Sequence, residues 1–153
     1  MKKNVIIAIL SLVFMGCVTE EGTTYNYTIT NNSGVTVEII PYTQQGELLL
    51  SKKIVLSNGQ SIKKKVLGQL GRSPSISTLI WSNGGALTKV EFVFNSTKRK
   101  VYIGCGLVVN GAADNCDDTR NIFREEYSDD QSDVYTFTPE DYQNAIDCGG
   151  YCN

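Results

Sequence analysis

The sequence predicts an all-β protein, an antiparallel β-sandwich of about nine short strands with immunoglobulin-like or Greek-key topology. Two observations support this prediction. Apolar and polar residues alternate with a period of two in short segments, and turn-forming residues separate these segments about every ten positions. A small closed β-barrel would produce the same two observations and is the alternative fold.

Most of the predicted strands are separated by a clear turn signal. Residues 31–34 and 57–60 each contain a glycine beside a small polar residue and predict two hairpins. Residues 83–85, 95–97 and 128–132 predict later turns. The predicted strands are, in chain order, 25–30, 35–39, 48–56, 61–67, 76–81, 87–94, 99–104, 122–127 and 133–138.

One segment near the C-terminus, about 139–147, is predicted to be helical. Thr138 suits the N-cap and Pro139 suits the first helical position. Glu140 and Asp141 carry negative charge at the positive end of the helix dipole. We expect this short helix to cover one open end of the sheets, next to the C-terminal cysteines.

The first sixteen residues have the composition of an export signal. Lys2 and Lys3 form a positively charged start, and residues 5–13 are apolar except for Ser11. Spanning a hydrocarbon core takes about 20 apolar residues, and this stretch is shorter. We therefore expect a cleaved signal rather than a transmembrane helix.

The residues that close this segment, Phe14-Met15-Gly16-Cys17, resemble the lipobox of bacterial lipoproteins, in which a small residue precedes an invariant cysteine. Phe14 stands where that family prefers leucine. The resemblance implies that a diacylglycerol is attached to Cys17, that residues 1–16 are removed, and that a fatty acid such as palmitate acylates the new amino group. Residues 17–24 would then be a lipidated cysteine and a polar tether that reaches about 25 Å at most. Residues 25–153 would form a single domain.

Two features of the tether bear on location. Glu20 and Glu21 resemble the acidic stretch that directs some lipoproteins to the cell exterior, and position 18 is not aspartate, the residue linked to retention in the inner membrane. The resemblance implies a bacterial envelope protein at the outer membrane, facing the periplasm or the exterior. It implies no activity.

The cysteine count supports the lipid assignment. The chain has five cysteines, and assigning Cys17 to lipid leaves an even number in an oxidising compartment. We therefore predict two disulfides among Cys105, Cys116, Cys148 and Cys152. The pairing stays open, because two local bridges and two crossed arrangements are all possible. A zinc site is disfavoured because the chain has no histidine and shows only one pair of cysteines with suitable spacing.

Charge is divided unevenly along the chain. Residues 18–100 carry ten basic and five acidic side chains, whereas residues 101–153 carry two basic and eleven acidic ones. This division predicts solvated loops, or alternatively two faces of opposite sign that would orient the protein on a charged surface.

The residues offer little catalytic chemistry. Without histidine, Ser-His-Asp and Cys-His sites are excluded, so we expect a protein that is not an enzyme and needs no cofactor, with a carboxylate-dependent hydrolase as a lesser alternative. Calcium is a weak candidate ligand, because the acidic runs lack the spacing of a calcium-binding loop. Its candidate ligands are Asp114, Asp117, Asp118, Asp129, Asp130 and Asp133.

Two basic triplets and one tryptophan complete the candidates for binding. Residues 63–65 and 98–100 are candidates for contact with anionic headgroups or polysaccharide, although lysines on strands more often protect sheet edges. Trp81 is expected to pack in the core rather than to stack on sugars. A net acidic protein outside the cytoplasm has no obvious nucleic-acid partner.

These observations together predict a membrane-anchored binding or scaffolding module of the envelope, whose partner is a protein or a glycan. An accessory lipoprotein that blocks a partner is the alternative. The oligomeric state is left open.

Overall fold

The computed structural model describes residues 22–43, 46–68, 74–81, 87–127 and 131–152. The predicted export signal, the lipobox and most of the tether lie outside these residues, as does the predicted turn at 83–85. Within the described residues, we find no helix with the length and apolar character that crossing a membrane requires.

The described residues are mostly β-structure. The helices are α1 (Ser77–Ile80) and α2 (Pro139–Asn144), with two short 3-10 helices at Leu50–Lys52 and Glu125–Tyr127. The strands are β1 (Thr24–Asn31), β2 (Val37–Tyr42), β3 (Ile54–Leu56), β4 (Ser61–Leu67), β5 (Lys89–Phe94), β6 (Lys98–Ile103), β7 (Val108–Val109), β8 (Ala112–Ala113), β9 (Ser132–Phe137) and β10 (Ile146–Asp147).

These strands form two main sheets, which confirms the predicted all-β sandwich. One sheet has three strands in the order β4-β1-β9, and the other has five in the order β10-β6-β5-β2-β3. The small hairpin β7-β8 stands apart from both. Neighbouring strands are antiparallel except β1 and β9, which run parallel. The strands of the described residues therefore do not form the single closed sheet of the alternative barrel.

Both hairpins predicted in the first half of the chain are wrong. The turn residues lie where expected, but β1 and β2 belong to different sheets, and so do β3 and β4. Each connection is an arch that lets two apolar faces pack against each other across the sandwich. A period of two is the same in an arch and in a hairpin, so alternation alone cannot separate them.

Buried Asn31 explains how the two arches lie side by side. Its side-chain amide donates hydrogen bonds to the backbone oxygens of Val35 and Leu56, at 2.8 and 2.7 Å. Its side-chain oxygen accepts from the backbone N–H of Ser33 at 3.0 Å. One side chain therefore satisfies backbone groups of both connections at the point where the chain passes between sheets.

Three other predictions of local structure need correction. Residues 76–81 were expected to be a strand but contain α1, which buries Leu79 and Ile80. Residues 122–127 form turns and a 3-10 helix, and the first part of 48–56 contains the other 3-10 helix. A short apolar run does not distinguish a strand from a buried helical turn, which is the reason for the error at 76–81.

The second half of the chain follows the predictions more closely. The turn at 95–97 joins β5 and β6 in an antiparallel hairpin. Helix α2 starts at Pro139 as predicted, with the backbone N–H of Thr138 donating to the carboxylate of Asp141 at 2.8 Å. It ends at Asn144 rather than near 147, because Ile146 and Asp147 pair with β6 as β10.

The core between the sheets is built around aromatic side chains. Phe92 meets Phe137 edge to face, with ring centroids 4.7 Å apart, and Tyr135 lies 5.8 Å from Phe92. Trp81 is half-buried at the end of α1 and does not join this cluster, contrary to its predicted core position. The largest fully buried side chains are Tyr27, Tyr135, Phe92, Phe94 and Phe137.

Candidate functional site

A small cavity lies where β5 and β6 face β9, with α2 beside it. Its volume is about 80 Å³, whereas sites for small organic ligands occupy roughly 300–1,000 Å³. Aromatic rings of the core line one part, and charged side chains line the rest. The charged members are Lys100, Asp118, Arg120 and Asp141.

Arg120 joins two of the elements around this cavity, α2 and β9. Its guanidinium donates to both carboxylate oxygens of Asp141 on α2, at 2.8 and 2.7 Å, and to the backbone oxygen of Thr136 on β9 at 2.6 Å. The same group lies over the ring of Tyr135, 4.6 Å from its centroid. The hydroxyl of Tyr135 in turn donates to the backbone oxygen of Arg120 at 2.9 Å.

The loop that carries Arg120 is fixed to the edge of β6. The side chain of Asn115 donates to the backbone oxygen of Val101 and accepts from the N–H of Ile103, at 2.9 and 3.2 Å. Fully buried Asn121 donates to the backbone oxygen of Ile103 at 3.0 Å. Amide side chains thus replace a neighbouring strand along this edge and hold the arginine in place.

Burial and ion pairing together set the charges in the cavity. Burial alone would lower the pKa of Arg120, but its hydrogen bonds and charge contact with Asp141 outweigh burial and raise that pKa. Burial raises the pKa of Tyr135 well above its ordinary value. Arg120 therefore stays cationic and Tyr135 stays neutral across the physiological pH range.

A second ion pair lies at the same cavity. Lys100 Nζ is 2.7 Å from Asp118 Oδ2. Burial works to raise the pKa of Asp118, but the hydrogen bonds from Lys100 and from the Arg120 backbone, with the charges of both residues, lower it overall. The two cations of the cavity therefore each have a carboxylate partner, which suits a structural joint between sheets and helix better than an anion site.

Both predicted disulfides form, and the open question of pairing is resolved in favour of the two local bridges. Cys105 pairs with Cys116, and Cys148 pairs with Cys152. The first bridge closes the loop that leads to Asp118 and Arg120. The second closes a short loop directly after β10.

The weak calcium candidates do not gather into a site among the described residues. Asp114 accepts from the backbone N–H groups of Gly106 and Cys116, and Asp118 faces Lys100. Among all histidine, cysteine, aspartate and glutamate side chains of the described residues, no three come together to hold a metal ion. Asp129 and Asp130 lie outside the described residues.

The basic triplet at 98–100 is divided among three internal contacts. Lys98 donates to the backbone oxygen of Gln143 at the end of α2, at 3.2 Å. Arg99 lies 3.5 Å from a carboxylate oxygen of Glu91. Lys100 faces the cavity, as described above. This triplet is therefore not a continuous basic patch.

The triplet at 63–65 is arranged differently. Lys64 points inward and donates to the backbone oxygen of Thr78 in α1 at 3.2 Å, and burial lowers its pKa. Lys63 and Lys65 are exposed on the other side of β4, next to β1 residues Thr28 and Asn26 in the strand register. In the part of the chain that the structure describes, neither of these two lysines takes part in an ion pair.

These lysines belong to an open, polar surface of the three-stranded sheet, which we call the threonine–lysine face. Alternation along each strand places the neighbouring positions of β1 and β9 on the same side, including Val134, which is 57% exposed. The strand positions of this face contain no acidic residue. Its central members are Asn26, Thr28, Thr30, Lys63, Lys65 and Val134.

A polar cluster on the outer side of the five-stranded sheet was not predicted from the sequence. Glu91, although almost fully buried, accepts a hydrogen bond from the hydroxyl of Tyr42 at 2.6 Å. Lys89 Nζ lies 3.5 Å from the centroid of the Tyr42 ring. Burial raises the pKa of Tyr42 and lowers that of Lys89. The alternation of charged residues at 89 and 91 on β5 was the available signal.

No family model matches the chain, and no similar protein was found among curated proteins or solved structures. Residues and geometry alone therefore bear on its function.

Proposed function

We propose that the protein is a lipid-anchored lipoprotein of the bacterial envelope, whose disulfide-bonded β-sandwich is a binding module held close to a membrane. The carrying observation concerns the cysteines. Four of the five pair with each other in local disulfides, and the fifth is Cys17, which ends the lipobox-like segment. Oxidised cysteines are typical of proteins outside the cytoplasm, where lipoproteins are found.

The position of β1 supports a short attachment. It begins at Thr24, inside the predicted tether and one residue before the predicted start of the domain. Seven residue steps separate Cys17 from Thr24, which is a distance of about 25 Å in a fully extended chain. The sandwich would therefore stay within a few nanometres of the anchoring membrane, at the outer membrane on either its periplasmic or its exterior side.

A binding role is favoured over the hydrolase alternative by the chemistry of the cavity. A carboxylate-dependent hydrolase needs one carboxyl group that is free to give or take a proton near neutral pH. Asp118 and Asp141 instead face Lys100 and Arg120, and the pKa of Asp118 is lowered overall. The open threonine–lysine face, by contrast, offers charge and hydrogen-bonding groups directly to a partner.

Metabolic labelling with a fatty acid tests the anchor. The wild-type protein should carry the label and fractionate with membranes, whereas Cys17→Ala should lose the label. The matched control replaces both Cys148 and Cys152 by alanine, which removes cysteines without touching the lipobox, and should keep the label. Label on Cys17→Ala would refute the lipoprotein assignment.

A further inference from the structure

We propose that the threonine–lysine face lies on the anionic headgroup surface of the same membrane that holds Cys17. This inference rests on the proposed lipid anchor and adds the surface and the ligand chemistry to it. Its members Lys63 and Lys65 would contact lipid phosphates. Three features of the molecule support this placement.

The first feature is the point at which the chain leaves the sheet. The tether runs into β1, the central strand of the three-stranded sheet, at Thr24. Lys65 lies opposite Asn26 and Lys63 opposite Thr28. At about 3.3 Å per residue, these positions are about 7 and 13 Å along the strand from Thr24. Both lie well within the tether's reach, so the anchored lipid and the lysines can contact one membrane at once.

The second feature is the charge of the face. Lys63 and Lys65 occupy alternate positions on β4 and point to the same side. By contrast, Lys53, Arg99 and Lys100 each lie within 4 Å of a carboxylate oxygen, at 3.1, 3.5 and 2.7 Å. Among the described residues, the strand positions of this face therefore present two positive charges and no carboxylate, unlike those of the other sheet.

The third feature is the composition around the lysines. Neighbouring threonine and asparagine side chains can donate hydrogen bonds to phosphate oxygens without adding negative charge. Leu67, opposite Thr24 in the register, is 67% exposed at the end nearest the tether. A second copy of the chain is a poorer occupant, because a symmetric contact through this face would bring lysines toward lysines.

The number of lysines sets how strongly the docked orientation is preferred. Each lysine near an anionic membrane surface contributes about fivefold to binding, so two favour the docked orientation by about 25-fold. Because the lipid anchor already holds the protein at the surface, this factor changes orientation rather than attachment. Salt at about 1 M, where the Debye length is about 3 Å, should abolish the preference.

The test uses the lipidated protein in vesicles of phosphatidylcholine alone or of an about 2:1 mixture of phosphatidylcholine and phosphatidylglycerol. An amine-reactive reagent is applied briefly, and peptide mass spectrometry gives the labelling rate of each lysine. We expect Lys63 and Lys65 to react at least about tenfold more slowly in the anionic vesicles. Exposed Lys52, in the 3-10 helix just before β3 of the other sheet, should react equally in both.

Two single-lysine variants test whether the protection depends on the charge of this face. Lys63→Gln protein should lose most of the protection at Lys65, because only one charge of the face remains, whereas Lys52→Gln should leave it unchanged. Equal rates at Lys63 and Lys65 in the two kinds of vesicle, with lipidation verified by mass, would overturn this inference and leave the anchor intact. A protein without lipid would overturn both proposals.

Two other outcomes would also overturn the inference in favour of a different occupant. Protection that increases with the ratio of protein to lipid in neutral vesicles would assign the face to a second copy. Protection that requires an added acidic polysaccharide, and is absent from anionic vesicles alone, would assign it to a glycan.

Discussion

Replacing Arg120 by methionine should destabilise the sandwich more than removal of any surface cation. Methionine keeps a similar length of apolar side chain but removes three hydrogen bonds, two to Asp141 and one to the backbone oxygen of Thr136. The side chain of Asp141 is only 10% exposed, so it would lose its cation in a place that water reaches poorly. The free energy of unfolding should therefore decrease substantially.

The size of this decrease can be worked out from the contacts. Hydrogen bonds to charged groups contribute about 1.5–3 kcal/mol each, and breaking a buried ion pair costs about 3–5 kcal/mol. The Arg120 side chain is 33% exposed, which allows water to compensate in part, so we take the lower end. We expect a loss of about 3 kcal/mol, which corresponds to a decrease of about 10 °C in the melting temperature of a domain of this size.

Thermal and urea unfolding followed by circular dichroism measure this loss. Lys53→Met is the matched control, because Lys53 also pairs with a carboxylate, that of Glu38, at 3.1 Å, but more openly, with side chains 35% and 24% exposed. That control should lose no more than about 1 kcal/mol. If Arg120→Met and Lys53→Met were equally stable, Arg120 would not be the joint between β9 and α2.

Three further predictions concern the disulfides and the titrating groups. Trypsin digestion without reduction should leave each disulfide within its own fragment, 101–120 or 125–153, and a linked pair of these fragments would contradict the local pairing. Carboxyl NMR should place the pKa of Asp118 below its ordinary value of 3.8, and Lys100→Met should raise that pKa. The stability that Asp118 contributes is present above pH 3.8 and is lost as the pH falls through the folded-state pKa. Burial, with smaller contributions from neighbouring charges, raises the pKa of Tyr27 to about 12, so its contribution to stability is present below pH 10.0 and is lost as the pH rises toward 12. An ionisation midpoint of Tyr27 near pH 10.0 in the folded protein would contradict this.

The sequence predicted individual strands better than their partners. Alternation marks β1, β2, β4, β5 and β9 close to their observed bounds, because each buries one side against the core. Whether two such strands lie side by side or across the sandwich depends on contacts such as those of Asn31, whose amide bonds to Leu56 in a distant segment. The alternation of apolar and polar residues carries no information about a hydrogen bond between residues 25 positions apart in the sequence.

At the cavity, too, the sequence did not predict contacts between residues that are far apart in the chain. The capping role of Asp141 follows from local sequence, but its bond to Arg120 joins residues 21 positions apart. The one available signal was that residues 101–153 contain only two basic side chains, so that an arginine there is surrounded in sequence by acids. Choosing Asp141 among those acids required the position of α2 beside the cavity.

The anchor at Cys17 is tested most directly by the intact mass of the protein after extraction from membranes with detergent. We predict a polypeptide that begins at Cys17, carries a diacylglycerol and an additional fatty acyl group, and lacks the hydrogens that two disulfides remove. A mass that includes residues 1–16, or that corresponds to a polypeptide without lipid, would contradict the account.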